Sequence, residues 1–269
     1  MTNGDIEVVL VPEIARIMRF GRPGGPNALW TSPLADSCPM AGWINWGGDK
    51  IWFWPQSDWP KNCYNEFWPP PMDGFSAEAE PSGDGLTWHQ SSLPLFPGVT
   101  ISRTIQLPPQ GAEVRLLTTV DSSGGTLRPW SVTQIACPGE VMVEELAGGG
   151  DWIAMNEHPF AVPEKCDTGW LLRPDASGTD KYGFAAAKLS ATTSAGLLSI
   201  RTEVNDPAVD AAQICFEGDD PKKRLPSIPR YAELEFAAAT GVTRLVQTWT
   251  LACGGPIGRN ALPDSDPCP

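Results

Sequence analysis

The chain has 269 residues, 41% of them hydrophobic, and its 32 acidic and 19 basic residues give a net charge of -13. An acidic surface repels nucleic-acid phosphates and anionic lipid headgroups, so we expect neither a nucleic-acid partner nor a membrane partner. No run of about 18 apolar residues occurs and the first residues do not resemble a secretory signal, which predicts a soluble, cytoplasmic protein. We expect a monomer or a dimer.

The predicted elements are mostly short strands, because 28 prolines and 27 glycines divide the chain into segments of about ten residues. In chain order the strand-like segments are IEVVLVP, IARIMRF, KIWFW, VTISRTIQL, EVRLLTTV, WSVTQIA, VMVEEL, GLLSIRTEV, AQICFE, YAELEFAA and TRLVQTWTLA. We predict a single antiparallel all-β domain over residues 1–269, with well over ten strands in two packed sheets. Residues 254–269 are expected to form a loosely held tail.

Six of the twelve tryptophans lie between positions 43 and 68. In DKIWFWPQ, strand alternation places Lys50, Trp52, Trp54 and Gln56 on one face and Asp49, Ile51 and Phe53 on the other. A face that mixes indoles with a cation and an amide suits a sugar, whose C–H patches stack on indole rings while its hydroxyl groups bond polar side chains. The alternative is a core strand between two sheets, with the Lys50 ammonium reaching solvent.

The next segment, PQSDWPKNCYNEFWPPPMDG, contains too much proline for a central strand. We interpret it as a long ordered loop that forms one wall of a concave site and contributes Trp59. Asp73, near its end, is expected to form a turn.

Two later strands place polar groups beside apolar ones. Trp130 and Gln134 share a face of RPWSVTQIA, either in a binding cleft or in a core where Gln134 bonds the backbone. In AQICFEGD, Glu217 lies at the end of its strand, either in the site or as an ordinary solvated carboxylate.

Cysteine spacing and short motifs give no sign of a cofactor or a metal. The seven cysteines never form CxxC, which argues against a structural zinc site, and their odd number fits a reducing compartment. The motifs GxSxG, HExxH, GxxxxGK[ST] and the EF-hand loop are absent. We therefore expect no cofactor.

Several motifs together resemble those of the galactose-mutarotase-like (aldose 1-epimerase-like) superfamily. VPEIARIMRFGRPGGPNALW is similar to its opening hairpin, GGDKIW to its Gly-Gly-Asn-Arg-Ile segment, and ICFEGDDPKKRLPSIPRYAELEFAAATGVTRLVQTWTLA to its final segment. The strands between them follow the same succession. The resemblance spans about residues 6–253 and is nearest to an uncharacterised bacterial branch.

The resemblance implies an antiparallel β-supersandwich that binds a sugar on one concave sheet. It places Asp49 and Lys50 at sugar-contacting positions and Glu217 at the catalytic glutamate. Lys50 could act as an acid only if burial or a neighbouring cation lowered its pKa. The family's two catalytic histidines have no counterpart as we align it: WPPPMDG stands where one is expected and Gln134 where the other is. His89 and His158 are the only histidines in the chain.

Three functions follow as hypotheses. The first is a sugar-binding enzyme of the aldose epimerase type, an isomerase acting on a sugar or sugar derivative. The second is a non-catalytic sugar-binding domain, which the missing histidines favour. The third is a scaffold that uses its tryptophan-rich loop to bind a protein partner.

Overall fold

The computed structural model describes residues 1–33, 45–60, 72–91, 93–122, 127–136, 138–147, 150–155, 161–174, 179–203, 211–217 and 231–253. The first nine strands are β1 (Glu7–Val11), β2 (Arg16–Gly21), β3 (Asp49–Trp54), β4 (Glu78–Ser82), β5 (Gly85–Gln90), β6 (Val99–Gln106), β7 (Glu113–Ser122), β8 (Arg128–Ala136) and β9 (Val141–Glu145). The remaining strands are β10 (Ile153–Ala154), β11 (Glu164–Cys166), β12 (Gly169–Leu172), β13 (Asp180–Phe184), β14 (Ala186–Thr193), β15 (Gly196–Thr202), β16 (Ala212–Glu217), β17 (Tyr231–Ala237) and β18 (Arg244–Ala252). Two single-turn 3-10 helices, Pro12–Ile14 and Gln56–Asp58, complete the described elements.

The strands form two antiparallel sheets. The first sheet has eight strands in the order β1-β2-β3-β8-β17-β16-β13-β10, and the second has ten in the order β11-β12-β9-β14-β15-β18-β7-β6-β5-β4. This confirms the predicted antiparallel all-β sandwich. Each of the eleven strand-like segments found in the sequence overlaps one of these strands.

Alternation of side chains explains how the second sheet buries one of its faces. Along β6 and β18 buried and partly exposed residues alternate, so that one face of each strand packs inward. Trp88 of β5 and Trp249 of β18 are completely or almost completely buried on that inward face. Burial of such apolar surface is the main favourable term in folding.

The central strands of the first sheet are buried on both faces. In β3 the first five residues are buried and only Trp54 is partly exposed. One face of β3 therefore packs in the core between the sheets, and other contacts bury the opposite face.

A buried ion pair crosses between the two sheets. Arg103 of β6 donates to one oxygen of the Asp49 carboxylate, and both side chains are completely buried. The other oxygen accepts bonds from the hydroxyl groups of Ser131 and Thr133 on β8, at 3.1 and 2.7 Å. These contacts of Asp49 therefore lie on the face of the first sheet that points to the second sheet.

Three further observations concern earlier expectations. The predicted tail, residues 254–269, lies outside the described residues. Cys166 and Cys215 carry free thiols, whereas Cys253 is disulfide-bonded, which is not the state expected in a reducing compartment. No helix in the described part of the chain is long and apolar enough to span a bilayer.

Candidate functional site

The face of the first sheet that points away from the second sheet, called here the outer face, begins on β3. Asp49, Ile51 and Phe53 point inward, as shown by the Asp49–Arg103 pair and by the edge-to-face contact of Phe53 with Phe96. Side chains alternate along a strand, so Lys50, Trp52 and Trp54 occupy the outer face.

Strand register extends the outer face over five neighbouring strands in three rows. Lys50 is opposite Val132, which is opposite Glu235, which in turn is opposite Gln213. The neighbouring row contains Gln134, Glu233, Cys215 and Lys181, and the row on the other side contains Trp52, Trp130 and Ala237. Polar and ionisable side chains therefore stand beside one another across β3, β8, β17, β16 and β13.

Gln134 and Glu233 are direct neighbours on this face. The Gln134 amide nitrogen donates to Glu233 Oε1 at 2.8 Å, and Lys50 Nζ lies 3.9 Å from the same oxygen. Gln134 Oε1 is buried and has no hydrogen-bond partner among the residues that the structure describes. A buried acceptor without a donor is costly, and it is the kind of group that a bound ligand can satisfy.

Lys50 is 2% exposed and lies over the Trp52 ring, with Nζ 4.0 Å from the ring centroid. Burial lowers the pKa of Lys50, and the Arg16 guanidinium lowers it further. The carboxylates of Asp73, Glu233 and Glu235 act in the opposite direction, but the net effect is a lowered pKa. A lysine in this state gives up its proton more readily than one in water.

Glu235 and Lys181 form a second pair on the outer face. Lys181 Nζ lies 2.9 and 3.0 Å from the two carboxylate oxygens of Glu235, which is completely buried. Burial raises the pKa of Glu235 to about 7, with the Lys181 charge opposing the rise and the Glu233 charge adding to it. For Lys181, burial lowers the pKa, but Glu235, Cys215 and Glu233 together hold it above its ordinary value.

Four tryptophans gather at one end of the outer face. Trp52 meets Trp59 and Trp130 edge to face, at centroid distances of 5.5 and 5.3 Å, and Trp54 meets Trp130 at 5.0 Å. Trp59 is buried and its indole N–H donates to the Phe53 carbonyl at 2.7 Å. Of this cluster, Trp54 is the member with a partly exposed side chain.

The opposite end of the outer face is acidic and is defined here by Glu217, Tyr231 and Glu233. Glu217 stands directly opposite Tyr231, whose ring stacks on Trp30 with a centroid distance of 4.4 Å. Glu217 accepts a hydrogen bond from Thr179 at 3.3 Å. Burial raises the pKa of Tyr231, and the nearby Glu233 and Glu217 charges raise it further.

Cys215 lies between the two acidic residues of that end. Its Sγ is 3.8 Å from a Glu217 oxygen, and it is directly opposite Glu233. Burial, followed by the charges of Glu233 and Glu217, raises the pKa of Cys215 well above its ordinary value. The thiol is therefore protonated at neutral pH and a poor nucleophile.

Most of the residues predicted from the sequence as site residues share the outer face: Lys50, Trp52, Trp54, Trp59, Trp130, Gln134 and Glu217 lie on it or pack against it. Asp49 does not. Its carboxylate is occupied by Arg103, Ser131 and Thr133 in the interior, so we do not retain it as a sugar-contacting residue.

Gln56 also departs from the expected pattern. Strand β3 ends at Trp54, and Pro55 is followed by a short 3-10 helix in which Gln56 is exposed. The alternation that placed Gln56 beside Trp54 does not continue past the proline, because proline has no N–H group for the strand ladder.

The sequence-based prediction did not include Glu233, Glu235 or Lys181. The segment YAELEFA carried a usable signal: Tyr231, Glu233 and Glu235 alternate with Ala232, Leu234 and Phe236, which predicts a strand with one acidic face. Lys181 gave no comparable signal, since its partner Glu235 is 54 residues away along the chain.

Other residues singled out in the sequence lie elsewhere. Asp73 does not act only as a turn former, because Arg16 donates to its carboxylate at 2.5 Å in a buried pair. His89 lies on β5 of the second sheet, where its Nδ1 is 2.8 Å from Ser102 Oγ. His158 lies outside the described residues. Among those that are described, no group of three or more His, Cys, Asp or Glu side chains is placed to hold a metal ion.

Solved structures with a similar fold are known. No family model and no curated protein matches the chain. A candidate aldose 1-epimerase from Escherichia coli K12 superimposes with a TM-score of 0.64 and 10% identity, over 93% of this chain and 97% of that one. A TPR-domain-containing protein from Parabacteroides distasonis superimposes with a TM-score of 0.57 and 12% identity, over 99% of this chain but 49% of that one.

Identities of 10 to 12% show a common fold and nothing finer. The similarity to the candidate aldose 1-epimerase extends over nearly the full length of both chains. The chain therefore shares the antiparallel β-sandwich fold of that candidate aldose 1-epimerase, in agreement with the predicted all-β sandwich.

Proposed function

We propose that the protein binds a sugar or a sugar-derived small molecule on the outer face of the first sheet. The observation that carries this proposal is the contiguous set of buried hydrogen-bonding side chains, Lys50, Gln134, Glu233, Glu235 and Lys181, beside the tryptophan cluster. Burying charges and amides costs roughly several kcal/mol each unless partners compensate. Perturbed ionisable groups of this kind cluster at functional sites.

The two ends of the face match the two sides of a sugar. A pyranose presents C–H groups that pack on indole rings, and the partly exposed Trp54 stands at one end of the face. Its hydroxyl groups require acceptors and donors, which the Gln134 amide, the Glu233 carboxylate and the Lys50 ammonium supply. The galactose-mutarotase-like fold supports the same proposal by analogy alone.

Calorimetric titration with a panel of free hexoses tests binding. We expect saturable binding by the wild type and a loss of about tenfold or more in affinity for Gln134→Leu, because a buried polar partner of the ligand is removed. Lys188→Met, on a partly exposed residue of the second sheet that pairs with Glu144, is the matched control and should bind as the wild type does. Equal affinity of Gln134→Leu and wild type would contradict the assignment of the site.

A second candidate function is anomer exchange, the chemistry of an aldose 1-epimerase. Glu235 favours it, because a carboxyl group with a pKa of about 7 can both accept and release a proton at neutral pH. Lys50, whose pKa is lowered by burial, is suited to act as the acid at the ring oxygen. Glu217, at the partly exposed end of its strand, is the proposed base nearest to solvent.

Exchange between α and β anomers, measured by NMR, tests this second candidate. We expect the wild type to accelerate exchange over buffer, and Glu217→Gln and Glu235→Gln to slow it by about a hundredfold, the typical contribution of a general base. Binding of the sugar without any acceleration by wild type would leave a non-catalytic sugar-binding domain.

The scaffold hypothesis stays a prediction, because residues 61–71 of the tryptophan-rich loop lie outside the described residues. Trp52, Trp59 and Trp130 are buried against one another and offer no exposed apolar surface to a protein partner. Trp43 and Trp68, which belong to the same stretch of sequence, lie outside the described residues.

A further inference from the structure

The two ends of the outer face differ in charge, and this difference bears on which sugar fits. At the acidic end Glu217 and Glu233 flank Tyr231, with Glu233 mostly buried and the other two partly exposed. Both carboxylates influence Tyr231 and Cys215 electrostatically, so they lie close to each other.

The cations of the outer face are already engaged within the described part of the chain. Lys181 contacts Glu235 at 2.9 Å, and Arg16 contacts Asp73 at 2.5 Å. Arg128 stands at the other end of the face, opposite Trp54, where it donates to the Ala238 carbonyl at 2.9 Å. To gain Lys181, Arg16 or Arg128 as a partner, a phosphate or carboxylate group on a ligand would therefore have to displace an existing contact.

Among the described residues Lys50 forms an ion pair with Glu233, but it does not fully satisfy that carboxylate. The Lys50 Nζ to Glu233 Oε1 separation is 3.9 Å, beyond hydrogen-bond distance, and the same oxygen already accepts from Gln134. Burial lowers the pKa of Lys50, which reduces the positive charge that it can offer. Glu233 thus keeps capacity for a further donor.

An independent observation also calls for a donor at this place. Gln134 Oε1 is completely buried, is an acceptor, and finds no donor within the part of the chain that the structure describes. The Gln134 side chain points to Glu233, to which its amide nitrogen donates at 2.8 Å. A ligand group that satisfies both Gln134 Oε1 and Glu233 must supply more than one N–H or O–H.

We infer that the acidic end of the outer face binds the ammonium group of an amino sugar. An ammonium group carries three donors and a positive charge, so it can satisfy Gln134 Oε1 and the Glu233 carboxylate together. The partly exposed Tyr231 ring adds an aromatic surface for the cation. This inference rests on the proposed sugar-binding function and specifies its substrate class.

Calorimetry at pH 7 with matched ligands tests the inference. The panel contains D-glucose, D-galactose and D-mannose, their 2-amino and 6-amino derivatives, and their 6-phosphates. We expect at least one amino sugar to bind about tenfold or more tightly than its parent hexose, and the phosphates to bind more weakly than the parent hexoses. Raising the salt concentration should reduce the amino-sugar preference.

Two variants locate the preference. Glu233→Gln keeps the shape and removes the charge, so it should abolish the amino-sugar preference while the parent hexose still binds. Glu217→Gln, at the end of β16, should reduce the amino-sugar preference. Glu80→Gln, on an exposed glutamate of the second sheet, should leave it unchanged. Circular dichroism of each variant checks that it is folded.

The outcomes separate this inference from the proposed function. If free hexoses bind but no amino derivative binds more tightly, or if Glu233→Gln keeps the preference, the ammonium site is wrong and the sugar site stands. If 6-phosphates bind most tightly, the charge argument is wrong. If no member of the panel binds, sugar binding itself is contradicted, and the ammonium site with it.

Discussion

At the residue scale, burial controls the protonation of Glu235. Its pKa of about 7 exceeds the ordinary glutamate value of 4.5, chiefly because the side chain is completely buried, and Lys181 only partly offsets this effect. The folded protein therefore holds this proton between about pH 4.5 and 7, where the unfolded chain has already released it. The free energy of unfolding should decrease as the pH rises through that window.

Substitution of Glu235 tests the sign of this pH dependence. Between pH 5 and 7 the free energy of unfolding of the wild type should fall more steeply with pH than that of Glu235→Gln, which has no proton to lose. Urea denaturation at a series of pH values measures both slopes. Parallel slopes, or a steeper slope in the variant, would mean that Glu235 is not a protonated carboxyl group in the folded protein.

Asp49 shows how residues of the same strand take different roles. Lys50 faces outward to the candidate site, while Asp49 faces inward and bonds Arg103, Ser131 and Thr133. The sequence placed the two on opposite faces by alternation. It could not identify Arg103 as the partner, because that contact joins different sheets across 54 residues of chain.

At the element scale, a two-glycine turn sets the position of β3. Gly47 and Gly48 have φ angles of 87° and 73°. The Gly48 N–H donates to the Trp30 carbonyl, and the Gly48 carbonyl accepts from the backbone N–H of Gln134. The turn thereby joins β3 to β8, the two strands that carry Lys50 and Gln134. A Cβ atom at Gly48 would lie 2.4 Å from the Ile17 carbonyl oxygen, which is too close for any side chain.

Gly48→Ala should therefore lower the free energy of unfolding by more than about 2 kcal/mol, from the positive φ and the clash combined. Gly111→Ala is the matched control: its φ is 89°, but no atom lies within 4 Å of the Cβ position. It should lose only about 1 kcal/mol, the cost of the backbone conformation alone. Equal losses in denaturant unfolding would show that the close approach to Ile17 does not matter.

The elements also show what a sequence can and cannot predict about this site. Alternation correctly separated Lys50, Trp52 and Trp54 from Ile51 and Phe53, because the pleat of a strand is a local property. Gln56 was misplaced because Pro55 ends the strand. Alternating acids in YAELEFA were visible in the sequence, but their meaning depends on Gln134 and Lys181, which come from other strands.

At the scale of the whole molecule, the sequence predicted the fold better than the site. Strand-like segments separated by proline and glycine were enough to predict an antiparallel sandwich, since two packed sheets are the simplest way to bury many half-apolar strands. Which strands are neighbours was not predictable from composition: β3, β8 and β17 are adjacent in the sheet but begin at Asp49, Arg128 and Tyr231. The candidate site exists only through that pairing.

The proposed function requires that ligands bind on the outer face of the first sheet and not elsewhere on the sandwich. Tryptophans report on both places, because Trp52, Trp54 and Trp130 line the outer face while Trp88 and Trp249 are buried on the inward face of the second sheet. Each indole N–H gives a separate NMR signal, which single Trp→Phe variants can assign.

The most direct measurement is therefore a titration of ¹⁵N-tryptophan-labelled protein with the tightest-binding sugar of the calorimetric panel. The account predicts shifts of the Trp54 signal, together with that of Trp52 or Trp130, and unchanged signals for Trp88 and Trp249. Saturable binding that leaves the signals of Trp52, Trp54 and Trp130 unchanged, or no binding by any sugar of the panel, would contradict it.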